Sequence, residues 1–236
     1  MTNVLDPNAL NALTRFILAN AIYFKANWQT HFFEALTKDE PFYLLGGGDI
    51  KVPLMRRTGR HNYFESSQLQ ALELSYKDSE LSMFVFLPKD KKGLAEVEKT
   101  FICDSFKEWL SKLEPKEVVV SFPKFKLADT FELQKTLMGL GIKDAFSQAT
   151  ADFTKVSDEK EIFLSQVIHK TYIDVDEEGT EAAAVTVIAM AAGARPRPPE
   201  NEEPKIFIAD HPFLFVIRHN KIGTILFVGR VVNPLE

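Results

Sequence analysis

Residues 177–204 read EEGTEAAAVTVIAMAAGARPRPPENEEP. The stretch opens acidic, runs through small and β-branched residues, and closes rich in proline and charge. Strand-like segments lie on both sides: EIFLSQVIHKTYIDV ahead of it, and HPFLFVIRHNKIGTILFV behind it. A segment with strand composition therefore stands where a connection is needed. It is either an alanine-rich linker or an exposed loop able to become a strand, and the flanking sequence decides between them.

Working outward, TRFILANAIYF (14–24) is apolar almost throughout, which suits a strand buried on both faces or a buried helix. Gly46, Gly47, Gly48 and Asp49 mark a turn. KVPLMRRTGRHNYF, LQALELSY and LSMFVFLP read as successive strands, with KDSE turning between the last two. Residues 92–113 carry helical spacing in Leu94, Val97 and Phe101, then Phe106, Trp109, Leu110 and Leu113, and Pro115 ends that region. EVVVSFPKFKL (117–127) reads as a strand, TFELQKTLMGLGIKDAF (130–146) as an amphipathic helix from near Thr130 to Gly141, and 161–179 as a long strand. The C-terminal run forms a hairpin turning at Asn220, Lys221, Ile222 and Gly223. The pattern is α+β, a single domain built on antiparallel or mixed sheet.

The 236 residues are 45% hydrophobic and 26% charged, ordinary for a globular chain, and the net charge of −5 leaves no basic footprint for nucleic acid. The apolar runs are short and broken by charge, so no membrane helix is expected, and residues 1–20 lack the pattern of a signal peptide. Cys103 stands alone, which excludes an internal disulfide and leaves the redox compartment open. The 20 phenylalanines against 5 tyrosines point to an extensive sheet core.

Catalytic signatures are missing. There is no G-x-S-x-G elbow and no phosphate-binding loop, and Gly46–Gly48 lacks the following lysine and helix. His31, His61, His169, His211 and His219 are scattered without a zinc spacing, and nothing local activates Cys103, which reads as a buried or idle thiol. Asp174, Asp176, Glu177 and Glu178 mimic a calcium cluster, but alternate strand residues point to opposite faces and cannot converge on one ion. No cofactor is implied.

HKTYIDVDEEGTEAAAVT resembles the hinge pattern of the serpins, which ends in E-E-G-T-E-A-A-A. ADHPFLFVIRHNKIGTILFVGRVVNP resembles that family's closing hairpin. LANAIYFKANW resembles its central strand ending in F-K-G-x-W, with Ala26 in place of the usual glycine, and KVPLMRR and FPKFKL fit as well. The resemblance covers essentially the whole chain but not the whole family. It implies a serpin fold of mixed sheets with packed helices and an exposed reactive loop at about 177–204, without the family's N-terminal helices and first strands. It leans toward an extracellular protein and leaves a cytoplasmic one open.

The resemblance implies a serine-type protease inhibitor, not an enzyme. A target serine or cysteine protease attacks the loop as a suicide substrate; the loop then inserts into the central sheet and drags the acylated protease along. Glu177, Glu178, Gly179, Thr180, Glu181, Ala182, Ala183 and Ala184 form the hinge. On insertion, one parity is buried: Thr180, Ala182, Ala184, Thr186, Ile188 and Met190. The leading members are small, and a charge there would be buried without a partner. Gly179 supplies freedom to turn, and Glu181 stays wet on the other face. The resemblance further assigns Asn20 and His169 to a buried pair bridging neighbouring central strands, and Trp28 to the aromatic where the loop first enters.

Two counts of the reactive bond disagree. Spacing from Glu177 selects Gly193–Ala194, whereas counting back from Pro198-Pro199-Glu200 selects Arg195–Pro196. Proline after the cut obstructs most serine proteases, which favours Gly193–Ala194. Its small flanks suit a shallow pocket, elastase-like or subtilisin-like, with a trypsin-like target through Arg195 or Arg197 as the alternative. The other function class is a non-inhibitory serpin-like binding protein or inactive fragment, for which bulky or charged inserted positions would speak.

Overall fold

The computed structural model describes residues 14–158, 162–180 and 203–236. In chain order these form β1 (Phe16–Phe24), β2 (Ala26–Asn27), β3 (Lys38–Tyr43), β4 (Asp49–Glu65), β5 (Leu69–Ser75), β6 (Leu81–Pro88), α1 (Leu94–Thr100) and α2 (Cys103–Ser111). There follow β7 (Glu114–Pro123), β8 (Phe125–Glu132), α3 (Gln134–Gly139), β9 (Leu164–Val175), β10 (Gly179–Thr180), β11 (Lys205–Ile208), β12 (Phe213–His219) and β13 (Ile225–Val231). The architecture is the expected α+β, rich in mixed sheet. No helix of the described residues is long and apolar enough to cross a membrane. The chain divides into two compact units, residues up to 24 with 127–173, and residues 25–126 with 174–236.

The second unit is built on an eight-stranded sheet in the order β11-β7-β4-β5-β6-β12-β13, with β3 joined to β4. Every pairing is antiparallel except β11 on β7. β6, LSMFVFLP, is buried at all but its first residue, as a central strand covered on both faces must be. On one face Phe84, Phe86, Leu69, Ala71, Leu214 and Val216 pack under Leu94 and Val97 of α1 and Phe106 and Trp109 of α2. Phe122, Phe125, Phe213 and Phe215 form a second aromatic cluster, with centroids 5.4–6.2 Å apart. The phenylalanine excess is thus spent on sheet packing.

The expected helical region 92–113 is two helices. Phe101 leaves helical geometry, and Ile102 restarts the chain by donating its N–H to the Ser105 hydroxyl at 3.0 Å. The single strand expected over 117–127 is likewise two, β7 and β8, broken at Lys124. The KDSE turn is real, with Asp78 and Ser79 at φ 64° and 55°.

In the first unit, β1 runs parallel to β9, and β8 also pairs with β9. Two expectations fail here. The helix expected over 130–146 shrinks to Gln134–Gly139, because Thr130–Glu132 belong to β8, and the chain reverses at Gly141 with φ 100°. β1 is a strand, but it is not buried on both faces: Leu18 is 49% and Tyr23 45% exposed. Among the described residues it is an edge strand, paired only with β9, so one flank of its apolar run has no cover.

Candidate functional site

The acidic turn expected to serve as a hinge begins where β9 ends. Asp176 organises the turn: its carboxylate accepts the N–H groups of Glu178 at 3.0 Å and Gly179 at 3.1 Å, while its own N–H donates to the Gly179 carbonyl at 2.8 Å. This is the local side-chain turn that aspartate favours. It returns the chain so that Thr180 pairs with Val175 on one side and Ala26 on the other. β10 is therefore a strand between the end of β9 and β2 at the position where the alanine run begins.

Segment 26–37 holds this turn at several points. Trp28 donates its backbone N–H to the Glu178 carbonyl at 2.8 Å and its indole N–H to the Asp176 carbonyl at 2.9 Å. The Phe32 N–H donates to the Glu177 carbonyl at 2.9 Å. Trp28 itself is buried, stacked on Tyr76 at 4.5 Å and edge-on to Phe32. Behind Phe32 stands Arg57, its guanidinium 4.3 Å over the ring and one N–H donated to the Thr30 carbonyl. Burial lowers the Arg57 pKa to about 10. His61 is pushed down to about 4 by burial and the nearby Arg57 charge, against a bond to the Glu73 backbone.

Glu177 is 5% exposed and carries the site's charge. Its carboxylate takes the Lys124 ammonium at 2.7 Å and the Thr37 hydroxyl at 2.8 Å. Burial pushes this carboxyl up, but Lys124, Thr37 and its own backbone N–H outweigh burial and hold it below the ordinary range. Gly179 is required by space. A Cβ there would lie 2.2 Å from the Ala26 carbonyl oxygen and 2.5 Å from the Asn27 Cα, both backbone atoms of β2 that cannot swing away.

The acidic run does not act as one group. Asp174 pairs with Lys126 at 2.8 Å, Asp176 with backbone, and Glu177 with Lys124. In the first unit the parallel register sets Asn20 opposite His169. The buried setting expected for this pair is not found: Asn20 is exposed on the open strand β1, and His169 is half-buried, stacked on Phe131 at 6.3 Å. Glu181, Ala182, Ala183, Ala184, Gly193, Ala194, Arg195 and Pro196 lie outside the described residues.

A clamped acidic turn leading into GTEAAA, beside a buried tryptophan and an eight-stranded mixed sheet, is matched by one family model, Serpin (serine protease inhibitor), over residues 1–234. The chain belongs to the serpin family. It is 42% identical over 235 residues to human Serpin B12, covering 96% of this chain and 56% of that protein. It is 41% identical over 238 residues to the leukocyte elastase inhibitor of Xenopus tropicalis, covering 98% and 61%. The crystal structure of Serpin48 of the insect Tenebrio molitor superposes with a TM-score of 0.82 at 34% identity, covering 99% of this chain and 60% of that one. The chain thus spans between about half and three fifths of the serpins it matches.

Two parts of the clamp escaped sequence reading. Lys124 lies in the quoted FPKFKL, but no local pattern ties it to an acid more than fifty residues on. Thr37 carries no signal at all.

Proposed function

We propose that this serpin inhibits serine-type endopeptidases as a suicide substrate, through cleavage of the loop following Thr180 and its insertion as a strand. The supporting observation is β10: Gly179 and Thr180 are already paired as a strand between Val175 and Ala26. A loop continuing from them would extend a strand that has begun, and its first inward residues, Thr180, Ala182 and Ala184, are small. The resting chain is then metastable, and cleavage releases the constraint.

The reactive bond in this reading is Gly193–Ala194, with elastase-like or subtilisin-like proteases as targets. The residues MAAGA fit a shallow pocket, and both Arg195 and Arg197 are followed by proline. Tether length argues the same way. A cut two residues later adds roughly 6–7 Å of extended chain, which favours hydrolysis over trapping. The test incubates the protein with an elastase-like, a subtilisin-like and a trypsin-like protease. Denaturing gels read the covalent complex, and mass spectrometry reads the released C-terminal peptide. A complex with a peptide starting at Ala194 is expected. A stable trypsin-like complex with a peptide starting at Pro196 overturns the site and the target class. Cleavage without complex at any protease overturns inhibition and leaves the non-inhibitory binding protein.

A further inference from the structure

β11 is the first described strand after residue 202, and its hold on the sheet is light. It is four residues long and, among the described residues, lies at the sheet edge with β7 as its one strand partner. Ile206 is 60% exposed and Ile208 38%, so Phe207 is its one buried side chain. An edge strand with so little burial belongs to the part of a fold that opens first.

A closed circuit of side chains compensates. Lys205 of β11 pairs with Glu65 at the end of β4, Nζ to Oε1 at 2.9 Å. The other oxygen of Glu65 accepts from the Lys89 ammonium at 2.8 Å and from the Tyr63 hydroxyl at 3.1 Å. The Gln70 amide donates to the Tyr63 oxygen at 2.6 Å and to the Ile206 carbonyl at 2.9 Å, returning the circuit to β11. Residues 205 and 206 are thus joined to β4 and β5 through Glu65, Tyr63 and Gln70. Lys89 first, then Lys205, hold the Glu65 carboxyl down to about 2 against the opposing effect of burial. The adjoining cleft, about 760 Å³, is lined by Lys112, Lys116 and Glu203 beside Glu65 and Lys205, so solvent ions reach the clasp.

We propose that Glu65 is the clasp that keeps β11, and with it the C-terminal anchor of the loop at 181–202, from peeling away from β7. The anchoring role rests on reading 181–202 as the reactive loop; the clasp itself does not. Glu65 is a positioning residue: it fixes where the loop's C-terminal side meets the sheet and touches no protease.

Hydrogen exchange read by mass spectrometry on the full chain tests this without any protease, so the clasp and the inhibitor reading can fail separately. Glu65→Gln and, independently, Lys205→Met should each speed exchange of the peptide covering 205–208 about tenfold, with the peptide covering β12 unchanged. The double variant should add no more than about twofold, because both changes break one circuit. In about 1 M salt, where the screening length falls to roughly 3 Å, the parent should approach the variants while they stay within about twofold of their low-salt rates. Lys205→Met changes a part-exposed side chain, so it decides the matter if Glu65→Gln fails to fold. Parent-like exchange in Lys205→Met, or effects of the two substitutions that multiply fully, overturns the proposal.

Discussion

Replacing Glu177 with glutamine isolates the charge at the acidic turn, because shape and one acceptor for the Thr37 hydroxyl are kept. What is lost is the ion pair to Lys124 at 2.7 Å, between a carboxylate whose side chain is 7% exposed and an ammonium 38% exposed. A charged hydrogen bond contributes about 1.5–3 kcal/mol, and the open side of the lysine screens this pair toward the lower end, so about 1–2 kcal/mol is expected. For a chain of this size that lowers the melting midpoint by about 2–8 °C. The pH dependence gives the sharper test. The folded Glu177 carboxyl lies below its ordinary value, so its contribution is fully present above the ordinary carboxylate range and is lost as pH falls through the folded pKa. The gap between parent and variant should therefore be widest near neutrality and close on acidification. Denaturant titrations at neutral and acidic pH measure the gap, and hydrogen exchange over 176–180 locates it. Equal stabilities at neutral pH, or a gap that widens in acid, would refute the assignment of Lys124–Glu177 as a stabilising clamp.

Gly179→Ala should cost about 1–3 kcal/mol, because the new Cβ meets the β2 backbone at 2.2 Å, and exchange of residues 26–28 should accelerate; an unchanged denaturation midpoint would contradict that close approach. His61 should titrate near 4 by NMR, and its neutral folded form should withdraw stability as pH falls from about 6.5 toward 4; His61→Gln should flatten that part of the stability profile, and a normal midpoint would show that Arg57 and burial do not act on it as described. If the loop inserts as proposed, with Thr180 leading the inward parity, Thr180→Arg should leave loop cleavage intact and abolish the covalent complex; a complex at parental stoichiometry would exclude insertion through this face.

The strands LQALELSY and LSMFVFLP, the turn at KDSE and the C-terminal hairpin at Asn220–Gly223 appear in the structure where the residues alone put them. In these segments local chemistry and tertiary packing ask for the same thing. The misses are places where they disagree. Residues 130–133 have helical periodicity, yet Thr130–Glu132 extend β8, because pairing with β9 outweighs a weak propensity. The run at 14–24 is apolar enough for a central strand, yet among the described residues β1 stands at an edge, since apolar composition reports what a strand could bury and not what lies beside it.

By itself the sequence determined the family and the place of most strands, because side-chain size, charge and backbone freedom are local properties; the turn at Asp176–Gly179 falls inside what reads as one long strand over 161–179. Only the tertiary structure decided which groups hold that turn. Lys124 and Thr37 reach Glu177 from positions 53 and 140 residues away in sequence, and the Trp28 indole meets Asp176 across 148. Such pairs exist because folding removes Glu177 from water. A buried carboxylate must then find an ammonium or hydroxyl from whichever strand passes closest, and no spacing along the chain records which strand that is.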